Sequence, residues 1–96
     1  MEILVAYDVS TDTAAGRRRL RRVAQACEGF GKRVQKSVFE CVLNAGQMEQ
    51  LRHRLRKEAN LDEDSVRIYR LREPRERYLQ IMGRQPEFDI RDPLVL

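Results

Sequence analysis

The chain opens with Ile3-Leu4-Val5-Ala6-Tyr7-Asp8, an apolar run of five residues that stops abruptly on a carboxylate. A run this short cannot span a membrane. Its β-branched residues and the turn-prone Ser10-Thr11-Asp12 behind it predict a buried central strand rather than a helix. Asp8 is therefore expected at the carboxyl end of that strand, where a loop begins. It is the first residue to consider for metal binding or chemistry.

A chain of 96 residues has room for one domain. At this size folding buries only about two thirds of the surface of the unfolded chain, so a partner subunit is expected to add stability. The composition, 42% hydrophobic and 35% charged, is that of an ordinary globular chain. No apolar run approaches the roughly 18 residues of a membrane span, and no basic stretch followed by a long apolar core marks the start. A cytoplasmic protein with no membrane partner is expected.

Cys27 and Cys41 lie at no metal-ligand spacing and are expected as reduced core residues. The net charge is +4, and 16 of the 19 basic residues are arginine. Arginine's planar fork suits phosphate, which makes nucleic acid a natural partner class, although arginines also solvate faces.

After the first strand, Asp12 or Thr11 is placed to cap a helix whose apolar positions Leu20, Val23, Ala24 and Cys27 recur at helical spacing. Arg17, Arg18, Arg19, Arg21 and Arg22 put five arginines into six residues at its start, a patch of phosphate size. Gly29 and Gly31 end it. Residues 33–43 are β-rich, but Lys36-Ser37 breaks the apolar pattern and predicts a tight bend or bulge between two strands, or one bent strand. Either Phe39 and Leu43 or the opposite set, Val38 and Val42, would be left on an exposed face. Asn44 with Gln47 three residues on predicts a capping box, and Met48, Leu51, Leu55 and Ala59 the buried stripe of a second helix.

His53 lies on the outside of that helix with Arg52, Arg56 and Lys57. As the only histidine, without a ligand set around it, it is discounted as metal ligand or general base. Asp62, Glu63 and Asp64 mark a loop, and residues 65–71 a further strand. Residues 78–82 predict a short final strand stopped by Gly83. From Arg84 on, Pro86, Pro93 and the acids at 87, 89 and 92 make a tail that cannot pack as a helix. The chain is thus expected to divide into a domain over residues 1–83 and a docking tail over 84–96.

Strand, helix, strand, strand, helix, strand is the βαββαβ order of a ferredoxin-like α+β sandwich, here with an additional C-terminal strand. Two helices cover one sheet face. The other needs a cover, which predicts a homodimer, with the final strand completing the partner's sheet edge.

Tyr7-Asp8, Gly16-Arg17-Arg18-Arg19-Leu20, the segment Arg33-Val34-Gln35-Lys36-Ser37-Val38-Phe39-Glu40-Cys41 and the strand beginning Ser65-Val66-Arg67 together closely resemble CRISPR-associated protein 2, the small adaptation protein. Lys36 departs from the aromatic residue that often precedes Ser-Val-Phe there. The resemblance implies a homodimer that brings the two Asp8 carboxylates close, and endonuclease activity on RNA or double-stranded DNA with Mg²⁺ or Mn²⁺ on Asp8. It carries family positions onto Tyr7, Asp8, Arg17, Arg19, Arg33 and Phe39. It also implies a scaffold in spacer acquisition, a bridge between dimers of the CRISPR integrase that holds DNA and docks through the tail.

Together these readings give Asp8 and Tyr7 as catalytic candidates and Asp8 as the metal ligand. Arg17, Arg18, Arg19, Arg21, Arg22 and Arg33 are the nucleic-acid contacts, and Phe39 is structural. The alternative is a non-catalytic nucleic-acid-binding or regulatory ferredoxin-like dimer. A single carboxylate is a poor Mg²⁺ site, two sharing an ion are a better one, and no general base accompanies it.

Overall fold

The computed structural model describes residues 1–85. Its elements are β1 (Glu2–Asp8), α1 (Ala14–Glu28), β2 (Gly31–Gln35), β3 (Val38–Val42), α2 (Ala45–Glu58) and β4 (Ser65–Arg70), followed by a short 3₁₀ turn, Arg75–Arg77. The strands form one antiparallel sheet in the order β2-β3-β1-β4, with α1 and α2 on one face. This is the expected ferredoxin-like α+β sandwich.

Alternation along β1 fixes which side chains meet the helices. Ile3, Val5 and Tyr7 are buried, whereas Leu4 and Ala6 are only half-buried and Asp8 is exposed. Val5 pairs with Phe39 and Ala6 with Val38, so β3 turns Phe39 and Cys41 inward with Val5. The register decides between the two sets that the sequence left open. Phe39 and Leu43 are core; Val38 and Val42 belong to the uncovered face. The break at Lys36-Ser37 is a hairpin turn with an irregular register between Arg33 and Gln35.

Helix α1 buries Leu20, Val23, Ala24, Ala26 and Cys27 against the sheet. Its N-cap is Thr13 rather than Asp12 or Thr11: the Thr13 hydroxyl accepts from the Gly16 N–H at 3.0 Å. Threonine three residues before an available N–H satisfies an otherwise orphan donor, which is worth about 1 kcal/mol. Helix α2 has the capping box read from the sequence, Gln47 N–H to Asn44 Oδ1 at 2.8 Å and Asn44 N–H to Gln47 Oε1 at 2.9 Å, and buries Met48, Leu51 and Leu55.

The additional C-terminal strand does not form among the described residues. Beyond the 3₁₀ turn, residues 78–82 make no strand pairing, and Leu79, Ile81 and Met82 line a shallow hollow with Val34, Gln35 and Glu40 on the uncovered face. The edge expected to receive it is a partner's, and within the single chain this segment lies along Val34, Gln35 and Glu40. Arg75 ties it there: its N–H donates to Glu2 at 2.7 Å and its guanidinium to Glu40 at 3.1 Å. Residues 86–96, most of the expected docking tail, lie outside the described residues. Among those described, no helix is long and apolar enough to cross a membrane.

Candidate functional site

Successive residues of a strand point to opposite faces, and this separates the two catalytic candidates. Asp8 stands exposed at the end of β1 on the uncovered face, opposite Ser65 of β4 and on the same face as Leu4, Ala6, Val38 and Arg67. Tyr7 points the other way, into the core. Its hydroxyl donates to the Lys36 carbonyl at 3.3 Å and its ring stacks on Phe39 with centroids 6.3 Å apart. Burial, and then the neighbouring Cys27, push its hydroxyl up to about 12. Tyr7 thus does not join Asp8 in one site, and its hydroxyl stays protonated at neutral pH.

Arg33 belongs to that same interior cluster. Its side chain is 6% exposed, lies over the Phe39 ring at 5.0 Å and pairs with Glu28 at 3.4 Å. A guanidinium held this way stabilises the packing of β2 on α1 and is turned away from solvent, so the nucleic-acid role read from the sequence does not fit its place. Phe39 itself is fully buried in the core. Cys27 and Cys41 are free and buried, and burial first of all pushes their thiols up to about 12 and about 11.

The α1 arginines divide. Arg17, Arg18, Arg21 and Arg22 are exposed on the helix's outer side, where i, i+4 spacing makes Arg17 and Arg21, and Arg18 and Arg22, neighbours on one face. Arg17 also donates to the Thr11 carbonyl at 3.2 Å, within the loop that follows Asp8. Arg19 is spent on carboxylates instead: its Nε and Nη2 reach Asp64 at 3.0 and 3.3 Å, and Nη2 reaches Glu63 at 2.9 Å. It is thereby withdrawn from the arginines available to phosphate. Helix α2 adds exposed Arg52, His53, Arg54, Arg56 and Lys57 on the helical side of the molecule, across the sheet from Asp8.

Asp64 was legible only as one acid of a loop. Its side chain is fully buried and accepts from the Ser10 N–H at 3.1 Å and the Asn60 N–H at 2.8 Å, besides Arg19. Burial raises its carboxyl pKa, but the hydrogen bonds from Arg19, Asn60 and Ser10 outweigh that and leave it below its ordinary value. No local pattern marks such a residue, because its partners are 4, 45 and 54 positions away.

Among the described residues no three potential ligands gather as a metal cluster. One exposed carboxylate per chain still fits Mg²⁺, which keeps most of its waters and takes one or two carboxylates together with substrate phosphate oxygens.

The model of the family described as CRISPR associated protein Cas2 matches residues 1–78. The chain belongs to the Cas2 family. Over its full length it is 57% identical to the "CRISPR-associated endoribonuclease Cas2 1" of Moorella thermoacetica, covering all of that protein. It is 41% identical over 95 residues to the "CRISPR-associated endonuclease Cas2" of Halalkalibacterium halodurans, with 99% of each chain covered. The crystal structure of Streptococcus pyogenes Cas2 superposes with a TM-score of 0.78 at 43% identity, covering 86% of this chain and all of that one. A hypothetical protein of Thermus thermophilus follows with a TM-score of 0.73 at 35% identity, over 90% and 94% of the two chains. The sandwich described above is thus a fold that this chain shares with both solved structures.

Proposed function

We propose that this Cas2 chain acts in the cytoplasm as a homodimeric CRISPR adaptation protein that binds duplex DNA and bridges the CRISPR integrase. A Mg²⁺ or Mn²⁺ site shared by two Asp8 carboxylates gives it phosphodiester cleavage of RNA or double-stranded DNA. The observation that carries this reading is the position of Asp8 on the uncovered sheet face, among half-buried Leu4, Ala6 and Val38. The chain's own residues 78–82 lie along Val34, Gln35, Glu40 and Leu4, and the remaining half-apolar surface around Ala6, Val38 and Asp8 is of the kind a second copy stabilises. Dimerisation through it would bring the two carboxylates of one site from two chains.

Asp8 from each protomer would hold the ion, which when bound supplies Lewis-acid polarisation of a phosphodiester and a more acidic water. The chain's own contribution is positional and electrostatic. Arg17 and Arg18 lie one short loop beyond Asp8 and, with Arg21 and Arg22, offer the guanidinium stripe that would hold the phosphate backbone irrespective of sequence. The names of the relatives, endoribonuclease and endonuclease, support the nuclease part. The tail over residues 84–96 is the segment proposed to dock the integrase.

A specific observation favours a scaffold without turnover as the second reading. Among the described residues, the other β-strand carboxylates of the Asp8 face, Glu2 and Glu40, are engaged by Arg75 and neither stands free as a base. The deciding experiment compares wild type with Asp8→Ala on duplex DNA and single-stranded RNA with Mg²⁺ or Mn²⁺, with light scattering for the dimer. Cleavage lost in the variant while the dimer persists supports the metal site. Equal trace activity, or none in either protein, leaves the scaffold.

A further inference from the structure

The five residues that join β1 to α1, directly behind Asp8, are held from three independent sides. From below, the carbonyl of Ser10 packs so closely on Gly16 of α1 that a Cβ there would collide with it. From the side, the Arg17 guanidinium donates to the Thr11 carbonyl at 3.2 Å. From the loop just before β4, the buried Asp64 carboxylate accepts the Ser10 N–H at 3.1 Å, and Ser65, the first residue of β4, pairs with Asp8 itself. Val9 is buried as well.

Asp64 is the centre of this arrangement. Oδ1 accepts from Ser10 and from Arg19 Nη2; Oδ2 accepts from Arg19 Nε and from Asn60. Four donors from three parts of the chain converge on one carboxylate. A buried charge on this scale is tolerated only because every oxygen is matched, and the same matching fixes where Ser10 and Ser65 can lie.

We propose that Asp64 is the positioning residue for the Asp8 carboxylate and that Arg19 acts through it. The inference rests on the reading of Asp8 as a metal ligand. A shared metal site needs its carboxylate held to within about 0.5 Å, and a carboxylate on the last residue of a strand has that precision only if the following loop is fixed. Arg19 accordingly contributes to the site by orienting Asp64 and makes no phosphate contact of its own. Outer partners of a metal ligand typically alter affinity by about 10- to 100-fold when removed.

The test uses the full chain and three variants: Asp64→Asn, nearly isosteric but presenting an amide N–H₂ to donors that need an acceptor; Arg19→Gln; and Gly16→Ala, which disturbs the same loop without touching Asp64. Direct Mn²⁺ binding, hydrogen exchange of the metal-free 9–13 loop, and the salt dependence of duplex DNA affinity are read for each, with Asp8→Ala as reference.

The proposal predicts Mn²⁺ affinity about 10- to 100-fold weaker in all three variants, faster exchange in the loop with the β1–β3 pairing unchanged, and an unaltered salt slope. Arg19→Lys, which keeps one charged donor for Asp64, recovers part of the affinity. An unchanged loop exchange in Asp64→Asn overturns it. So does a salt slope reduced by about one in Arg19→Gln, the mark of a lost phosphate contact. Mn²⁺ binding lost in Asp8→Ala but intact in Asp64→Asn removes the positioning role alone. Mn²⁺ binding that Asp8→Ala leaves intact removes the Asp8 reading and the positioning role with it.

Discussion

The guanidinium of Arg33 lies 5.0 Å from the centre of the Phe39 ring and 3.4 Å from the Glu28 carboxylate. Arg33 is therefore a packing residue of the β2-α1 layer. Arg33→Ala should cost about 2–3 kcal/mol, from the lost cation–π contact and stem packing and from leaving Glu28 partly buried without this partner. The salt dependence of DNA affinity should stay as in wild type. Denaturant melts alongside a salt series check both; a stable variant with a reduced slope would restore the nucleic-acid role.

Tyr7 offers the sharpest pH test. Its hydroxyl is raised to about 12 in the fold, against about 10 in the unfolded chain, so the fold favours the protonated form. The associated stability is complete below pH 10 and is lost as the pH rises through about 12. Tyr7→Phe should cost about 1 kcal/mol near neutrality, for one long hydrogen bond, and should flatten the alkaline loss of stability. Cleavage activity, if present in wild type, should persist in Tyr7→Phe. An abolished activity in a stably folded variant would return the hydroxyl to the chemistry.

At the acid end the governing group is Asp64. Its folded pKa is below the unfolded value of about 3.9, so its contribution is present above that pH and is lost as the pH falls through the lower folded value. Asp64→Asn should be destabilised at neutral pH. The gap from wild type should close only below about pH 4, measured by urea midpoints across an acid series.

The exposed stripe of α1 makes the opposite prediction. Arg18→Ala with Arg22→Ala should leave the melting midpoint nearly unchanged, since both side chains are solvated. Duplex DNA affinity should fall at least tenfold, with the log–log salt slope smaller by about two, one for each lost phosphate contact. An unchanged slope would place the DNA elsewhere on the molecule.

How far the sequence could be read follows from how local each signal is. The Asn44–Gln47 capping box, the break at Lys36-Ser37 and the Leu20, Val23, Ala24, Cys27 stripe all involve residues within a few positions of one another, and each appears in the structure as expected. Thr13 took the cap from Asp12 and Thr11 because the N-cap depends on where the first turn begins, which the Gly16–Ser10 contact sets from outside the helix. Residues 78–82 carried a strand's composition, but a strand is completed by a neighbouring edge, which composition does not supply.

The sequence by itself determined the order of elements, the ferredoxin-like class and the position of Asp8 at a strand end, because periodicity and turn chemistry act over a few residues. Only the tertiary structure decided what the arginines do. Chemically identical side chains at 17, 18, 19, 21, 22 and 33 became a solvated stripe, a partner for a buried carboxylate and a lid on an aromatic ring. Their roles depend on which groups the sheet register and helix packing bring within about 4 Å, and those groups come from distant parts of the chain.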